Sequence, residues 1–169
     1  LKKALAHVGD ELDLVLAGNA KISERMKLPV HLHRGGRSER ALDEEVLNDV
    51  VIAKTSLSRM AELDTRCSGN YVTTYKADGV IVATPTGSTA YSLAANGPIM
   101  YPTMRGVIIA PICPHMLTNR PLVVSDEARV EVRLRAARDV EVYAALDGQE
   151  TFAFADGDHV AVTGSPRRL

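Results

Sequence analysis

The run Asp78 to Gly97, DGVIVATPTGSTAYSLAANG, concentrates hydroxyl side chains around a proline and a glycine between Thr84 and Thr89. The apolar stretch Val80 to Ala83 ahead of it reads as a strand. Ser88 to Asn96 behind it reads as a helix, with Gly97 just past the last turn and Pro98 as a stop. A helix start presents unpaired backbone N–H groups and a partial positive charge, so a glycine-bearing loop feeding into one can seat a phosphate or a polar sugar edge. The hydroxyls of Thr84, Thr86, Ser88 and Thr89 would supply donors and acceptors there. On shape alone a simpler role also accounts for these residues: Ser88 or Thr86 caps the helix and Gly87 makes the turn. The loop is no Walker A, because no Lys follows Gly87. It lacks the three-glycine dinucleotide fingerprint, and no GxSxG hydrolase elbow surrounds Ser88.

Elements of two periodicities must position this loop. From Leu1 to Ala17, apolar residues at Leu1, Leu5, Val8, Leu12, Val15 and Leu16 share one helical face. Gly18-Asn19 stops the helix, and Gly9 weakens its middle. Beyond it the period is two. Leu28, Val30 and Leu32 form a strand that Pro29 places at an edge or makes irregular, with His31 and His33 facing solvent. Leu63, Thr65 and Cys67 run into Ser68-Gly69-Asn70, and Tyr71, Thr73 and Tyr75 run out, which predicts a hairpin. Val130 to Leu134, Val140 and Val142, Phe152 and Phe154, and Val160 and Val162 are four alternating strands. The turns between them are Arg138-Asp139, Asp147-Gly148 and Asp156-Gly157-Asp158. The continuous apolar runs Val80 to Ala83, Val107 to Ile109 and Leu122 to Val124 read as strands buried on both faces. The expected fold is mainly β: a sandwich-like stack of sheets with one N-terminal helix and one internal helix after TPTGSTAY. Residues 1–19 would be a helical lead-in and 20–169 a β-rich domain.

With 169 residues, 46% of them hydrophobic, the chain can bury a substantial core. A formal charge of -1 without blocks of like charge argues against nucleic acid as a partner. No apolar run approaches 18 residues, so neither a membrane span nor a membrane partner is expected. Cys67 and Cys113 are too few for a disulfide framework and lack CxxC spacing, which fits a reducing cytoplasm. Cys113 and His115 stand two residues apart, but two ligands do not make a metal site. Leu1 in place of Met suggests a piece of a longer chain.

Three motifs together carry a resemblance. ADGVIVATPTGSTAYSLAANGPI, preceded by VLNDVVI at Val46 to Ile52 and followed by APICPHMLTNRPLVV at Ala110 to Val124, resembles the C-terminal half of the NAD kinase family, in its order and near its spacing. A weaker similarity runs from RMKL at Arg25 to DGQ at Asp147 to Gln149. The resemblance implies a β-rich domain that binds NAD and assembles into a homodimer or homotetramer. It also implies transfer of a phosphoryl group from ATP, or in some members polyphosphate, to the 2′-hydroxyl of the adenosine ribose, giving NADP. Mg²⁺ or another divalent cation would sit on the donor phosphates. The family's proton acceptor is the aspartate of a GGDG motif in an N-terminal α/β domain. No GGDG occurs here, since Gly35-Gly36 runs into Arg37 and Ser38, so that domain and the catalytic aspartate are expected upstream and this piece alone is expected to be inactive. The family also continues past the position of Leu169.

By resemblance, Asn48 and Asp49 match a pair at the NAD ribose and adenine, where an amide and a carboxylate can bond a diol. The simpler alternative is a turn in which both bond only to backbone. Thr89, Ala90, Tyr91 and Ser92 match the segment lining NAD, with Ala90 small enough to admit a base and Tyr91 otherwise a packing residue. Asp78 matches the aspartate of a Gly-Asp-Gly triplet whose first glycine is here Ala77. If that position needed a positive φ the turn would differ, and Asp-Gly is otherwise a common hairpin turn. Arg59 and Lys76 stand where basic groups approach the dinucleotide, and Gln149 matches a residue near the site. His115 is a candidate interface or ligand-lining residue, and Met116 replaces a usual serine. Two alternatives keep the same loop: a non-catalytic dinucleotide-binding or assembly module, and the second domain of a related lipid kinase.

Overall fold

A computed structural model describes residues 2–34, 40–55, 60–116, 118–135, 140–165 and 169. The first element is helix α1 (Lys2–Leu16), whose Val8, Leu12, Val15 and Leu16 remain exposed. Twelve strands follow: β1 (Leu28–His33), β2 (Arg40–Val46), β3 (Asp49–Lys54), β4 (Ala61–Cys67), β5 (Asn70–Ala77), β6 (Gly79–Ala83), β7 (Val107–Ile112), β8 (Leu122–Val124), β9 (Val130–Arg135), β10 (Val142–Leu146), β11 (Glu150–Phe154) and β12 (His159–Val162). They form two six-stranded sheets, ordered β2-β1-β12-β9-β4-β5 and β11-β10-β3-β6-β7-β8, with every described pairing antiparallel. The expected stack of sheets is thus present.

Period-two alternation builds the layer between the sheets. Leu28, Val30 and Leu32 of β1, and Val130, Val132 and Leu134 of β9, belong to one buried cluster with Val50, Ile52, Val80, Val82, Val107 and Ile109 of the second sheet. The intervening residues Val51, Ala53, Ile81, Ala83, Ile108 and Ala110 form a second cluster with Met100 and Ala145 on the far face. Two buried faces explain why β6 and β7 read as continuous apolar runs. β8 does not share this burial. It closes the sheet edge, and Leu122 and Val123 are exposed because no strand lies beyond it.

Other expectations need correction. β1 is no edge strand, since it pairs with β2 and β12. Pro29 is tolerated because the β12 pairing begins only at Val30, and the irregularity lies at Leu32/His33. His31 and His33 are half-buried between flanking strands, and the His33 ring stacks on His159 at 4.3 Å. Of the three turns among the last four strands, only the one at Asp147-Gly148 joins hairpin partners, because β9 and β12 belong to the first sheet and β10 and β11 to the second. The Arg138-Asp139 turn lies outside the described residues. The β4–β5 hairpin forms as read, with Ser68 and Gly69 both at positive φ, as a two-residue turn between right-twisted strands requires.

Tyr75 is among the buried polar groups left without compensation. Tyr75 is 1% exposed, and its hydroxyl has no partner among the described residues. Burial raises its pKa, so it stays neutral. Tyr75→Phe is expected to stabilise the fold by about 1 kcal/mol, because the ring remains and only an unsatisfied oxygen is removed. A higher denaturant midpoint at unchanged m checks this, whereas a lower midpoint would mean that the hydroxyl has a partner in solution. Among the described residues no helix is long and apolar enough to cross a membrane.

Candidate functional site

The site begins with a three-residue segment and its backbone. Leu47 and Asn48 bend between β2 and β3, and Asp49 opens β3. Each N–H of the segment donates to one carboxylate: Leu47 to Asp147 Oδ2 at 2.8 Å, and Asn48 and Asp49 to Asp147 Oδ1 at 2.7 and 3.0 Å. The carbonyls are equally engaged. Leu47 accepts from Thr84 Oγ1 at 2.6 Å, Asn48 from the Thr84 N–H at 2.9 Å and Asp49 from the Asp147 N–H at 3.0 Å. Backbone satisfaction by two other residues leaves the Asn48 and Asp49 side chains free of that duty. Asp147 itself sits at φ +48 in the β10–β11 turn, where aspartate tolerates the left-handed region better than most residues.

The TPTGS loop lies against this segment. Gly87 N–H donates to Thr84 Oγ1 at 3.0 Å, and a Cβ at Gly87 would stand 2.1 Å from the Asn48 carbonyl oxygen. Gly87 is therefore required by close approach and not by a turn with positive φ. Ser88 is fully buried; its hydroxyl donates to the Pro85 carbonyl at 2.6 Å and accepts the Met100 N–H at 3.1 Å. Thr84 and Ser88 thus shape the loop from within.

The single helix expected over Ser88 to Asn96 is instead a 3-10 turn at Gly87–Thr89, a break at Ala90 and the short helix α2 (Tyr91–Ala94). Four residues make too short a helix to offer the anion seat anticipated at its start. Asn96, at φ +59, takes the left-handed position after the helix, while Gly97 is needed because a Cβ there would meet Ser92 Oγ at 2.2 Å. The break at Ala90 turns Ala90 and Tyr91 toward a cleft of about 270 Å³. Asn48, Asp49 and Val51 line it together with Tyr143, Ala145, Asp147 and Gly148 from the neighbouring strand β10 and the turn after it. Tyr91 is shared with a larger depression of about 520 Å³ that runs past Asn96, Cys113, Met116 and Arg120.

The electrostatics are those of a dry carboxylate. Asp49 is 5% exposed, and burial, then the charge of Asp147, raise its carboxyl to about 6. The Tyr91 hydroxyl is raised by burial first and then by Tyr143, Cys113, Asp78 and Asp49, so it remains a protonated donor at neutral pH. Lys54 pairs with Asp78 at 3.4 Å. Among the described residues no cluster of three or more His, Cys, Asp or Glu side chains could hold a metal ion.

Asn48, Asp49, Ala90 and Tyr91 therefore meet in one cleft. Asp78 follows β5 directly and leads into β6 in the other sheet, so Asp78-Gly79 is no hairpin turn, and Ala77 lies in the strand without a positive φ. The remaining residues do not line the cleft. Thr89 is exposed, its hydroxyl 3.4 Å from the Thr86 carbonyl. Ser92 is fully buried, with an unpartnered hydroxyl against Gly97. Lys76 pairs with Glu62 at 3.0 Å, and Gln149 is exposed in the β10–β11 turn. Arg59 lies outside the described residues. His115 is exposed and donates its N–H to the Lys76 carbonyl at 2.8 Å. Sequence reasoning passed over Tyr143, Lys54 and above all Asp147, which had read as a turn residue. Asp-Gly between two strands was its only signal, and a contact spanning a hundred residues leaves no local trace.

Residues 47–169 match the ATP-NAD kinase C-terminal domain. The chain is 48% identical over 157 residues to an NAD kinase of Geotalea daltonii, covering 93% of this chain and 54% of that one. It is 42% identical to an NAD kinase of Thiobacillus denitrificans, covering 96% and 55%. Its fold superimposes on a yeast NADH kinase complexed with NADH with a TM-score of 0.90 at 28% identity, over 97% of this chain and 47% of that one. An NAD kinase from Archaeoglobus fulgidus in complex with ATP gives 0.77 at 26% identity, over 94% and 57%. The chain spans about half the length of the curated relatives it matches. This chain belongs to the NAD kinase family and carries its C-terminal domain.

Proposed function

We propose that the chain is the NAD-binding part of an NAD kinase, which transfers a phosphoryl group from ATP or polyphosphate to the 2′-hydroxyl of the adenosine ribose of NAD. The observation that carries this is the cleft itself: an amide and a dry carboxylate, Asn48 and Asp49, stand opposite Tyr91 on a segment whose backbone bonds are all made elsewhere. An ionised Asp49 accepts hydrogen bonds from a ribose diol, and Asn48 both gives and accepts. Tyr91 offers a ring face and a donor, and Ala90 leaves room for a base.

The reaction places its remaining demands on parts upstream. The 2′-oxygen bonds to the transferred phosphorus as the bond to the donor's leaving oxygen breaks, and the hydroxyl proton goes to the aspartate expected in a GGDG motif before Leu1. ADP or a shortened polyphosphate leaves. The chemistry that a divalent cation on the donor phosphates would supply is neutralisation of their charge. This chain contributes orientation of the acceptor sugar and exclusion of water around it. A cytoplasmic homodimer or homotetramer joined through the β domain is the assembly in which the exposed Tyr91, Cys113 and Met116 would line the ligand more fully. Thr89, Lys76, Asp78, Gln149 and Arg59 are then further candidate contacts that such an assembly or the upstream domain would bring to the ligand.

Calorimetric titration of the chain with NAD tests the proposal. Weak binding is expected, since part of the pocket belongs to the upstream domain. Asn48→Ala should weaken it by about tenfold or more, the loss of one or two hydrogen bonds in a desolvated site. Equal binding by both forms would remove Asn48 from the dinucleotide site.

A further inference from the structure

We infer that Asp147 is a positioning residue for the dinucleotide, its carboxylate serving as the mould that sets where Asn48 and Asp49 stand. The inference rests on the assignment of the cleft to NAD but adds a residue that never needs to touch the ligand. One side chain collects all three N–H groups of Leu47 to Asp49, and its own N–H returns a bond to the Asp49 carbonyl. Thr84 takes the two remaining carbonyls from the other side. A ligand-bearing bend between two strands is thus held by a turn about a hundred residues away and not by its own ladder. Positioning groups of this kind convert a flexible bend into a preformed site.

The carboxylate is specific to the task. Oδ1 accepts two N–H groups and Oδ2 accepts the third, so the site demands two acceptor oxygens. In an Asp147→Asn variant the amide would set an N–H against a backbone N–H on one side. The same substitution removes a negative charge beside Asp49. The other ionisable groups lining the cleft are Tyr91 and Tyr143, Lys54 and Asp78 pair with each other outside its lining, and the substitution changes none of these.

The test uses the full-length protein, in wild-type, Asp147→Asn and Thr84→Val forms. For Asp147→Asn the KM for NAD should rise about tenfold or more with kcat changed much less. The acid limb of kcat/KM should move to lower pH by about half a unit, because Asp49 ionises more easily without its neighbour. Thr84→Val loosens the same segment while keeping the charge, so its KM should rise with the acid limb unmoved. A merely structural role for Asp147 predicts lower thermal stability with the KM for NAD unchanged, and that result overturns the inference. One readout needs neither activity nor a variant. In the wild-type protein the Leu47, Asn48 and Asp49 amides should all exchange slowly with solvent and at similar rates, as N–H groups closed on one carboxylate do, and fast or unrelated exchange at the three also overturns it. If the wild type makes no NADP yet the three amides are protected together, the kinase proposal fails while the moulding of this segment stands.

Discussion

Gly87→Ala is expected to destabilise the domain by about 3 kcal/mol and to abolish measurable NAD binding. The added Cβ would lie 2.1 Å from the Asn48 carbonyl oxygen and 2.8 Å from its Cα. Neither atom can retreat, because Asn48 is held by Asp147 at its N–H and by Thr84 at its carbonyl. Overfilling a closely packed contact typically costs about 1–3 kcal/mol, with rigid backbone on the receiving side at the upper end. Any relief comes from pushing Leu47 to Asp49 away, which moves the two residues proposed to bind the sugar. Gly148→Ala separates space from conformation: Gly148 has φ +67 but nothing within 4 Å of its Cβ position, so strain of about 1 kcal/mol is expected there. Chemical denaturation of both variants decides between them. Equal losses would mean that the approach of Gly87 to Asn48 relaxes freely.

Asp49→Asn should move stability and binding in opposite directions, and only above a certain pH. The folded-state carboxyl is raised from 3.8 to about 6 by burial and by Asp147. A raised acid favours folding fully below its unfolded value, and that contribution is lost as pH rises through the folded one. At about pH 8 the wild type carries the whole penalty of an ionised, buried carboxylate, on the order of 2–3 kcal/mol. Asparagine has no such penalty. The variant should therefore be more stable than wild type by about 2 kcal/mol at pH 8, with the gap closing as pH falls through 6 and nearly gone below 4. Over the same upper range its NAD affinity should fall by about tenfold or more, since an amide replaces two acceptor oxygens with one. Thermal melts and titrations at several pH values check both halves, and a stability gap that ignores pH would show that folding leaves the Asp49 carboxyl at its ordinary value. On the proposed function, such a site would give up stability for a charge that the sugar uses.

Much of this was legible along the chain. Period-two alternation and continuous apolar runs placed most of the strands, β2 excepted, and the two-residue turn Ser68-Gly69 marked a hairpin, because these signals come from neighbours in sequence. The resemblance of VLNDVVI and TPTGSTAY to NAD kinases identified the family, which the matched domain then showed. The helix after the loop was misjudged, because Ala90 adopts a non-helical conformation that residue preference alone does not reveal. Exposed Leu122 and Val123 misled for a related reason: an apolar run shows that a strand is favoured, not whether a neighbour covers it.

By itself the sequence determined the class of fold and the family, and it singled out Asn48 and Asp49 as candidates for the proposed ligand site, all from residue type and local spacing. Tertiary structure alone decided how that pair is held. Asp147 reaches it across the second sheet, Thr84 closes on it through the β3–β6 pairing, and Gly87 is glycine because another backbone comes within contact distance. Each of these depends on which strands become neighbours, and strand order follows from burying both faces of β3 and β6 at once, a constraint that no single stretch of the chain contains.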